Sequence, residues 1–179
     1  DKFIAIVKAL EPTFGGINLE DIKAPDCFKI GDGLKDAMNI PVFHDDQHGT
    51  AICVCAALIN GLRVVGKQLE TVRIVTSGAG AAAISSLNLL VTLGVPVANI
   101  VITDRNGVVY AGREGRIDAS KKVYEQETTD RTLADALKGA DVFLGMSGPG
   151  VMDADMVRSM ADKPLVFALA NPNPEIDPA

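Results

Sequence analysis

Two short segments carry a set of carboxylates: Glu20-Asp21, closing the run Gly15-Gly16-Ile17-Asn18-Leu19-Glu20-Asp21, and Asp45-Asp46, closing Pro41-Val42-Phe43-His44-Asp45-Asp46. Each pair follows a short apolar run that reads as a buried strand, which sets the acids at strand ends, where α/β proteins build their sites. Three or four crowded carboxylates stay ionised only when a cation offsets their repulsion. All-oxygen ligation by acids is the chemistry of Mg²⁺ or Mn²⁺, with open positions left for water or substrate. His44 and His48 flank the second pair, but hard cations prefer oxygen, so both read as supporting or helix-start residues.

About thirty residues further on lies a Gly-rich turn, Ser77-Gly78-Ala79-Gly80-Ala81-Ala82-Ala83, whose G-x-G-x-x-A spacing suits a pyrophosphate. The first glycine makes the tight turn, the second lets the phosphates approach the backbone, and the following helix offers free N–H groups and a positive dipole end. A predicted strand precedes the turn, a helix follows it, and Asp104 ends the next strand about twenty residues on, where a ribose hydroxyl is held. Asp104 favours NAD because its charge repels a 2′-phosphate, whereas the adjacent Arg105 suits NADP, so both cofactors stay open. Two further loops, Gly145 to Gly150 and Asn171-Pro172-Asn173-Pro174-Glu175, each follow a predicted strand and emerge at the same ligand-binding edge. Their Gly, Pro and Asn residues make turns anyway, but the Asn171 amide is free to meet a carboxylate or carboxamide. A divalent metal beside a dinucleotide indicates metal-assisted redox chemistry on a small acid.

The elements that must position these groups follow from apolar spacing. Phe3 to Leu10 has helical spacing and starts without a cap, as though cut from something longer. Phe14 to Leu19 and Ile40 to Phe43 read as strands, and Pro25 opens a helix carrying Cys27, Phe28, Ile30, Leu34 and Met38, which Gly31 and Gly33 weaken and can break. Thr50 to Val65 is a long, nearly all-apolar helix expected to be buried on most sides. From Val72 strands alternate with helices: strands at Val72 to Thr76, Asn99 to Thr103, Val142 to Gly145 and Leu165 to Leu169, helices at Ala81 to Leu93, Leu133 to Lys138 and Ala154 to Met160. A short helix is placed around Lys121 to Glu127. The alternation is the pattern of a Rossmann-like, doubly wound parallel sheet with helices on both faces.

Composition narrows the function classes. With 17 basic and 23 acidic side chains, a net charge of −6 and no Lys/Arg cluster, the 179-residue chain is unsuited to tracking a phosphate backbone, which argues against nucleic acid. The apolar stretches Ala51 to Ile59 and Ile84 to Val95 are too short or too interrupted to span a bilayer, which argues against a membrane. Three cysteines, Cys27, Cys53 and Cys55, cannot all pair and read as reduced core or near-core thiols of a cytoplasmic protein.

The runs Phe14 to Ile22, Pro41 to Ala51 and Ser77 to Ala82, continued through the Asn171-Pro172 turn, resemble the malic enzyme family in its bacterial form. The resemblance implies oxidative decarboxylation of (S)-malate to pyruvate and CO₂ with reduction of NAD⁺ or NADP⁺, dependent on Mg²⁺ or Mn²⁺, in a homo-oligomer that is a dimer or larger. Carried over by position, it implies Glu20, Asp21 and Asp46 as metal ligands and Asp45 as the acid that pairs with the catalytic lysine. The turn Gly78-Ala79-Gly80-Ala81-Ala82 would hold the pyrophosphate, and Asn171 would lie near nicotinamide and substrate. The metal would acidify the malate hydroxyl for hydride transfer and then serve as electron sink while CO₂ leaves. The family's catalytic tyrosine and lysine lie upstream of the Gly-Gly-Ile-Asn-Leu-Glu-Asp motif. The expectation is therefore residues 1–47 as the remnant of a catalytic domain, 48–179 as an NAD(P)-binding domain incomplete at its C-terminus, and no turnover by the isolated chain. Two rivals are a malolactic enzyme, which makes lactate and keeps its NAD⁺, and a non-catalytic nucleotide-binding module.

Overall fold

The computed structural model describes residues 1–115 and 117–178. In the first part, α1 (Lys2–Ala9) packs on α2 (Asp26–Ala37), while β1 (Ile17–Leu19) and β2 (Val42–His44) pair in parallel with Leu19 opposite His44. Leu19, Leu34 and Met38 form a small core there. The glycines do not break α2, contrary to the sequence expectation: a Cβ at Gly33 would sit 2.8 Å from Ile4 Cδ1, so the missing side chain is what lets α1 approach. The strand expected from Phe14 begins only at Ile17, because a 3₁₀ turn at Glu11–Thr13 precedes it and Phe14 is exposed.

A π-helical turn, Asp45–Gly49, leads into α3 (Thr50–Val65), which Gly66 ends at φ 74°. The expectation that α3 is buried on most sides is wrong. Ala51, Val54, Cys55, Leu58 and Leu62 are buried, but Ile52 and Val64 are 55% and 86% exposed. Only one stripe of a helix can meet the sheet and its neighbouring helix, so Ile52, Ala56, Ala57 and Val64 of α3 are left exposed. Counted with the preceding turn, Asp45–Val65 is 21 residues long with mean hydropathy 1.5, enough by length and composition to cross a membrane, although its buried stripe belongs to the main core. Cys27 and Cys55 are buried free thiols, whereas Cys53 lies on the exposed side of α3 rather than in the core.

The second part runs β3 (Ile74–Ser77), α4 (Ala81–Thr92), β4 (Ile100–Asp104), β5 (Gly107–Val108), α5 (Ala119–Lys122), α6 (Leu133–Leu137), β6 (Val142–Gly145), α7 (Ala154–Ser159) and β7 (Leu165–Ala168). The sheet order is β5-β4-β3-β6-β7, parallel except for β5, which returns antiparallel to β4. Side chains alternate between its two faces. Ile74, Ile100, Ile102, Val142 and Leu144 face the core built with α3 and α4. Val75, Val101 and Phe143 face a second core with Ala136 and Leu137 of α6 and Met156 and Val157 of α7. This two-sided covering is the doubly wound arrangement.

The expected helix at Lys121 to Glu127 is instead the short α5, started by Asp118, whose carboxylate accepts from Ser120 N–H. Tyr124 then enters the core, its hydroxyl 2.6 Å from Asn88 Oδ1. Strand β5 escaped the sequence reading because it is two residues long and is formed by a hairpin that Gly107 turns at φ 90°.

Candidate functional site

Parallel pairing of β1 with β2 brings the two acid pairs to one edge. Leu19 and His44 are register partners, so Glu20-Asp21 and Asp45-Asp46 leave adjacent strand ends together. Asp21 adopts φ 56°, a left-handed conformation that Asp tolerates better than most residues, and its N–H donates to Asp46 Oδ2 at 2.8 Å. Glu20, Asp21 and Asp45 are exposed and Asp46 is half-buried. Among the described residues no three His, Cys, Asp or Glu side chains converge on a metal-sized point, so the acids are aligned on one edge but not closed around a centre.

The histidines are placed differently from one another. His44 is 1% exposed, its Nδ1 lies 3.9 Å from Asp46 Oδ2, and neither ring nitrogen has a hydrogen-bond partner among the described residues. His48 Nδ1 accepts from the His44 N–H at 3.0 Å, and its Nε2 lies 3.2 Å from Lys35 Nζ. Burial, then the Lys35 charge, push the His48 pKa below the ordinary 6.5, which keeps the ring neutral as an acceptor. The turn carrying these residues packs on α4, so the acid edge adjoins the helix that follows the Gly-rich turn.

That turn sits where the order of strands reverses around β3, the point at which open α/β sheets bind ligands. Gly78 has φ 104° and donates its N–H to the Thr103 carbonyl at 2.9 Å, and a Cβ there would collide with the Met146 carbonyl. Gly80 is the N-cap of α4 and supplies no side chain to its first N–H groups, while a Cβ at this position would meet no protein atom within 4 Å. A cavity of about 390 Å³ lies at the C-terminal ends of β3, β4 and β6, lined by Ser77, Gly78, Thr103, Asp104, Arg105 and Ser147 among others. A larger, mostly apolar cavity of about 670 Å³ lies apart from these groups, between α7 and β7.

Asp104 lines the smaller of these cavities but is not free. Arg113 grips both its oxygens, at 3.0 and 2.9 Å, Lys121 Nζ lies 3.3 Å from Oδ2, and the Asn106 N–H donates to Oδ1 at 2.9 Å. Burial works against the charged form, but the hydrogen bonds from Arg113, Asn106 and Lys121 outweigh it and hold the pKa at about 2. Arg105 stands exposed at the cavity rim. Ala79, Ala81 and Ala82 follow the Gly78 turn into α4, whereas Asn171 lies beyond β7 in an exposed turn, joined to Pro172 by a cis peptide, and does not line this cavity.

Sequence reasoning missed Arg113 and Lys121 as partners of Asp104, and it missed Glu175 as a buried group. The hairpin and α5 bring the first two back to the end of β4, and no spacing rule announces that return. Glu175 is fully buried although it closes a turn rich in Pro and Asn, where an acid is ordinarily solvated.

Residues 47–178 match the family model for the malic enzyme NAD binding domain, and residues 1–35 match that for the malic enzyme N-terminal domain. The chain is 59% identical over 179 residues to an NADP-dependent malic enzyme of Haemophilus influenzae, covering 99% of this chain and 24% of that protein. It is 58% identical over 178 residues to an NAD-dependent malic enzyme of Rhizobium meliloti, covering 99% and 23% respectively. The crystal structure of an NAD-dependent malic enzyme from Thermotoga maritima superposes with a TM-score of 0.92 at 46% identity, covering 99% of this chain and 48% of that one. The chain thus spans about a quarter of the length of these curated relatives.

Proposed function

The chain belongs to the malic enzyme family, and on that premise we propose that the protein oxidatively decarboxylates (S)-malate to pyruvate and CO₂, reducing a nicotinamide dinucleotide with the help of Mg²⁺ or Mn²⁺. The observation that carries the reading is the Gly78 turn, wedged against the Met146 carbonyl at the reversal point of a parallel sheet, beside a cavity that Asp104 and Arg105 line. Residues 1–47 are read as the end of a catalytic domain and 48–179 as the nucleotide-binding domain, in keeping with their separate sheets.

Glu20, Asp21 and Asp46 offer the hard oxygen donors that a divalent cation takes, on a single strand edge. When bound, the metal supplies Lewis-acid activation of the malate hydroxyl and of the 2-oxo group that replaces it. Asp46 is already oriented by the Asp21 N–H, and Asp45 stands beside it to pair with a lysine. The Gly78 to Ala82 turn and the N-terminus of α4 bind the pyrophosphate, and Asn171 orients the nicotinamide or substrate.

The Asp104 cluster supports NADP over NAD. With Asp104 already paired to Arg113 and Lys121, the exposed Arg105 at the cavity rim remains to meet a 2′-phosphate. Malate is the proposed substrate, a homo-oligomer the proposed assembly and the cytoplasm the proposed location, with neither nucleic acid nor membrane as partner.

The test is titration of the purified chain with NADPH and NADH, then incubation with malate, Mn²⁺ and either oxidised nucleotide, with Asp46→Asn in parallel. Pyruvate formed together with reduced nucleotide, and lost in Asp46→Asn, supports oxidative decarboxylation. Lactate without net reduced nucleotide identifies malolactic chemistry instead. Binding without turnover fits a cofactor-binding part whose acid and base groups lie elsewhere in the protein. Failure to bind either nucleotide refutes the reading.

A further inference from the structure

Glu175 is 0% exposed, and its carboxyl reaches back from the turn after β7 to the ends of two strands. Oε1 accepts from the Ser147 N–H at 2.8 Å and lies 3.5 Å from Ser147 Oγ, while Oε2 accepts from the Ala170 N–H at 3.0 Å. The Glu175 carbonyl also accepts from Met152 N–H at 3.1 Å. Gly145 is the cradle for this side chain, since a Cβ there would run into the Glu175 carboxyl. Ser147 Oγ lies in turn 2.7 Å from Ser77 Oγ, at the end of β3 and next to Gly78. One buried side chain therefore ties the C-terminal ends of β3, β6 and β7 together.

Burying an acid is costly unless hydrogen bonds compensate for the lost water, and here the compensation comes from backbone amides of two loops. The two loops leave the ligand-binding edge of the sheet, yet Glu175, with no exposure, cannot itself touch a ligand. Its action is to hold Ser147 and Ala170 in place.

The side of the sheet decides which part of a ligand feels this. Asp104 and Arg105, at the end of β4, mark the adenosine side on the proposed reading, and Ser147 closes the same cavity from the β6 side, beside Ser77 and Gly78 where a dinucleotide would cross β3. Strands β6 and β7 lie on the opposite side of β3, where the second half of a dinucleotide crossing the switch point must run. We propose that Glu175 is a positioning residue for the nicotinamide half of the bound dinucleotide, acting through the Ser147 and Ala170 amides. The proposal rests on the nucleotide-binding reading above.

The experiment compares binding of NADPH and NADH with binding of their adenosine halves, adenosine 2′,5′-bisphosphate and AMP, at a temperature where circular dichroism shows each variant folded. In Glu175→Gln one oxygen becomes an NH₂ facing an N–H, so one loop is released. Dinucleotide Kd should rise about tenfold while the adenosine halves change less than twofold, and Gly145→Ala, which displaces the carboxyl, should reproduce the split. Equal weakening of whole and half ligands, or no change in either, overturns the proposal. Absence of binding by the wild type refutes the nucleotide reading itself. Should neither variant fold, hydrogen exchange in the wild type decides. Dinucleotide, but not its adenosine half, should slow exchange of the Ser147 and Ala170 amides about tenfold, and equal protection by both overturns the proposal.

Discussion

Replacing Asp104 with Asn isolates the charge cluster at the end of β4. The carboxylate is held at a pKa of about 2, against an ordinary 3.8, by bonds from Arg113, Lys121 and the Asn106 amide working against burial. A gap of that size contributes about 2 kcal/mol to stability when the group is ionised in both states. Its side chain is only 13% exposed, and that of Arg113 8%, so solvent screening removes little of it. Because the folded pKa lies below the unfolded one, the contribution is complete above about pH 4 and disappears as the pH falls toward 2. Asp104→Asn should therefore lower the unfolding free energy at pH 7 by about 2 kcal/mol, with a further cost of about 1 kcal/mol for leaving the Arg113 guanidinium poorly paired. For a chain of this size that is a fall in Tm of about 6–12 °C. The assay is urea denaturation of wild type and variant from pH 7 to pH 2. The two curves should converge below about pH 3 as the wild type loses its advantage. Equal stability at neutral pH, or a gap that persists unchanged into acid, would refute the assignment of that stability to the ionised carboxylate.

Gly80→Ala should leave Tm nearly unchanged, since its Cβ meets no protein atom within 4 Å, yet weaken dinucleotide binding at least about tenfold in a fluorescence titration because it occupies the phosphate approach. Gly78→Ala, by contrast, must collide with the Met146 carbonyl and adopt φ 104°, so it should also destabilise the fold, by about 1–3 kcal/mol in urea. Phe143→Ala, emptying a fully buried site on the central sheet, should cost about 3–5 kcal/mol by chemical denaturation. With a colorimetric thiol reagent near pH 8, Cys53 should react fast. Cys27 and Cys55 should wait for unfolding, burial having pushed the Cys55 thiol up to about 11. Three equally fast thiols would contradict the packing of α3.

Local spacing made much of the fold legible. Short, nearly continuous apolar runs alternating with helical runs identify a parallel sheet covered on both faces, because such strands are buried on both sides. Val142–Gly145 reads directly as β6 for that reason. The Gly78 turn was legible because a tight turn before a helix needs glycine at fixed offsets. The burial of α3 was misread, since a nearly all-apolar helix carries no mark of which stripe meets the sheet. Strand β5 was missed because two residues cannot show a period.

The sequence by itself determined which chemistry is available: oxygen donors at two strand ends, a phosphate-sized turn, and the acid that ends β4. Its residue types and short-range spacings suffice for that, because capping, turn geometry and amphipathic period act within a few residues. Tertiary structure decided how those groups are used. The β1–β2 register joined the Asp21 amide to Asp46, 25 positions apart. The hairpin after β4 returned Arg113 to Asp104, and the turn after β7 carried Glu175 28 positions back to Ser147. Each of these contacts exists only after the sheet has assembled, since its energy depends on burial and on strand ends that the chain brings together across long loops. A free acid in the sequence thereby became a neutralised one at Asp104, and a turn residue became a buried tie at Glu175.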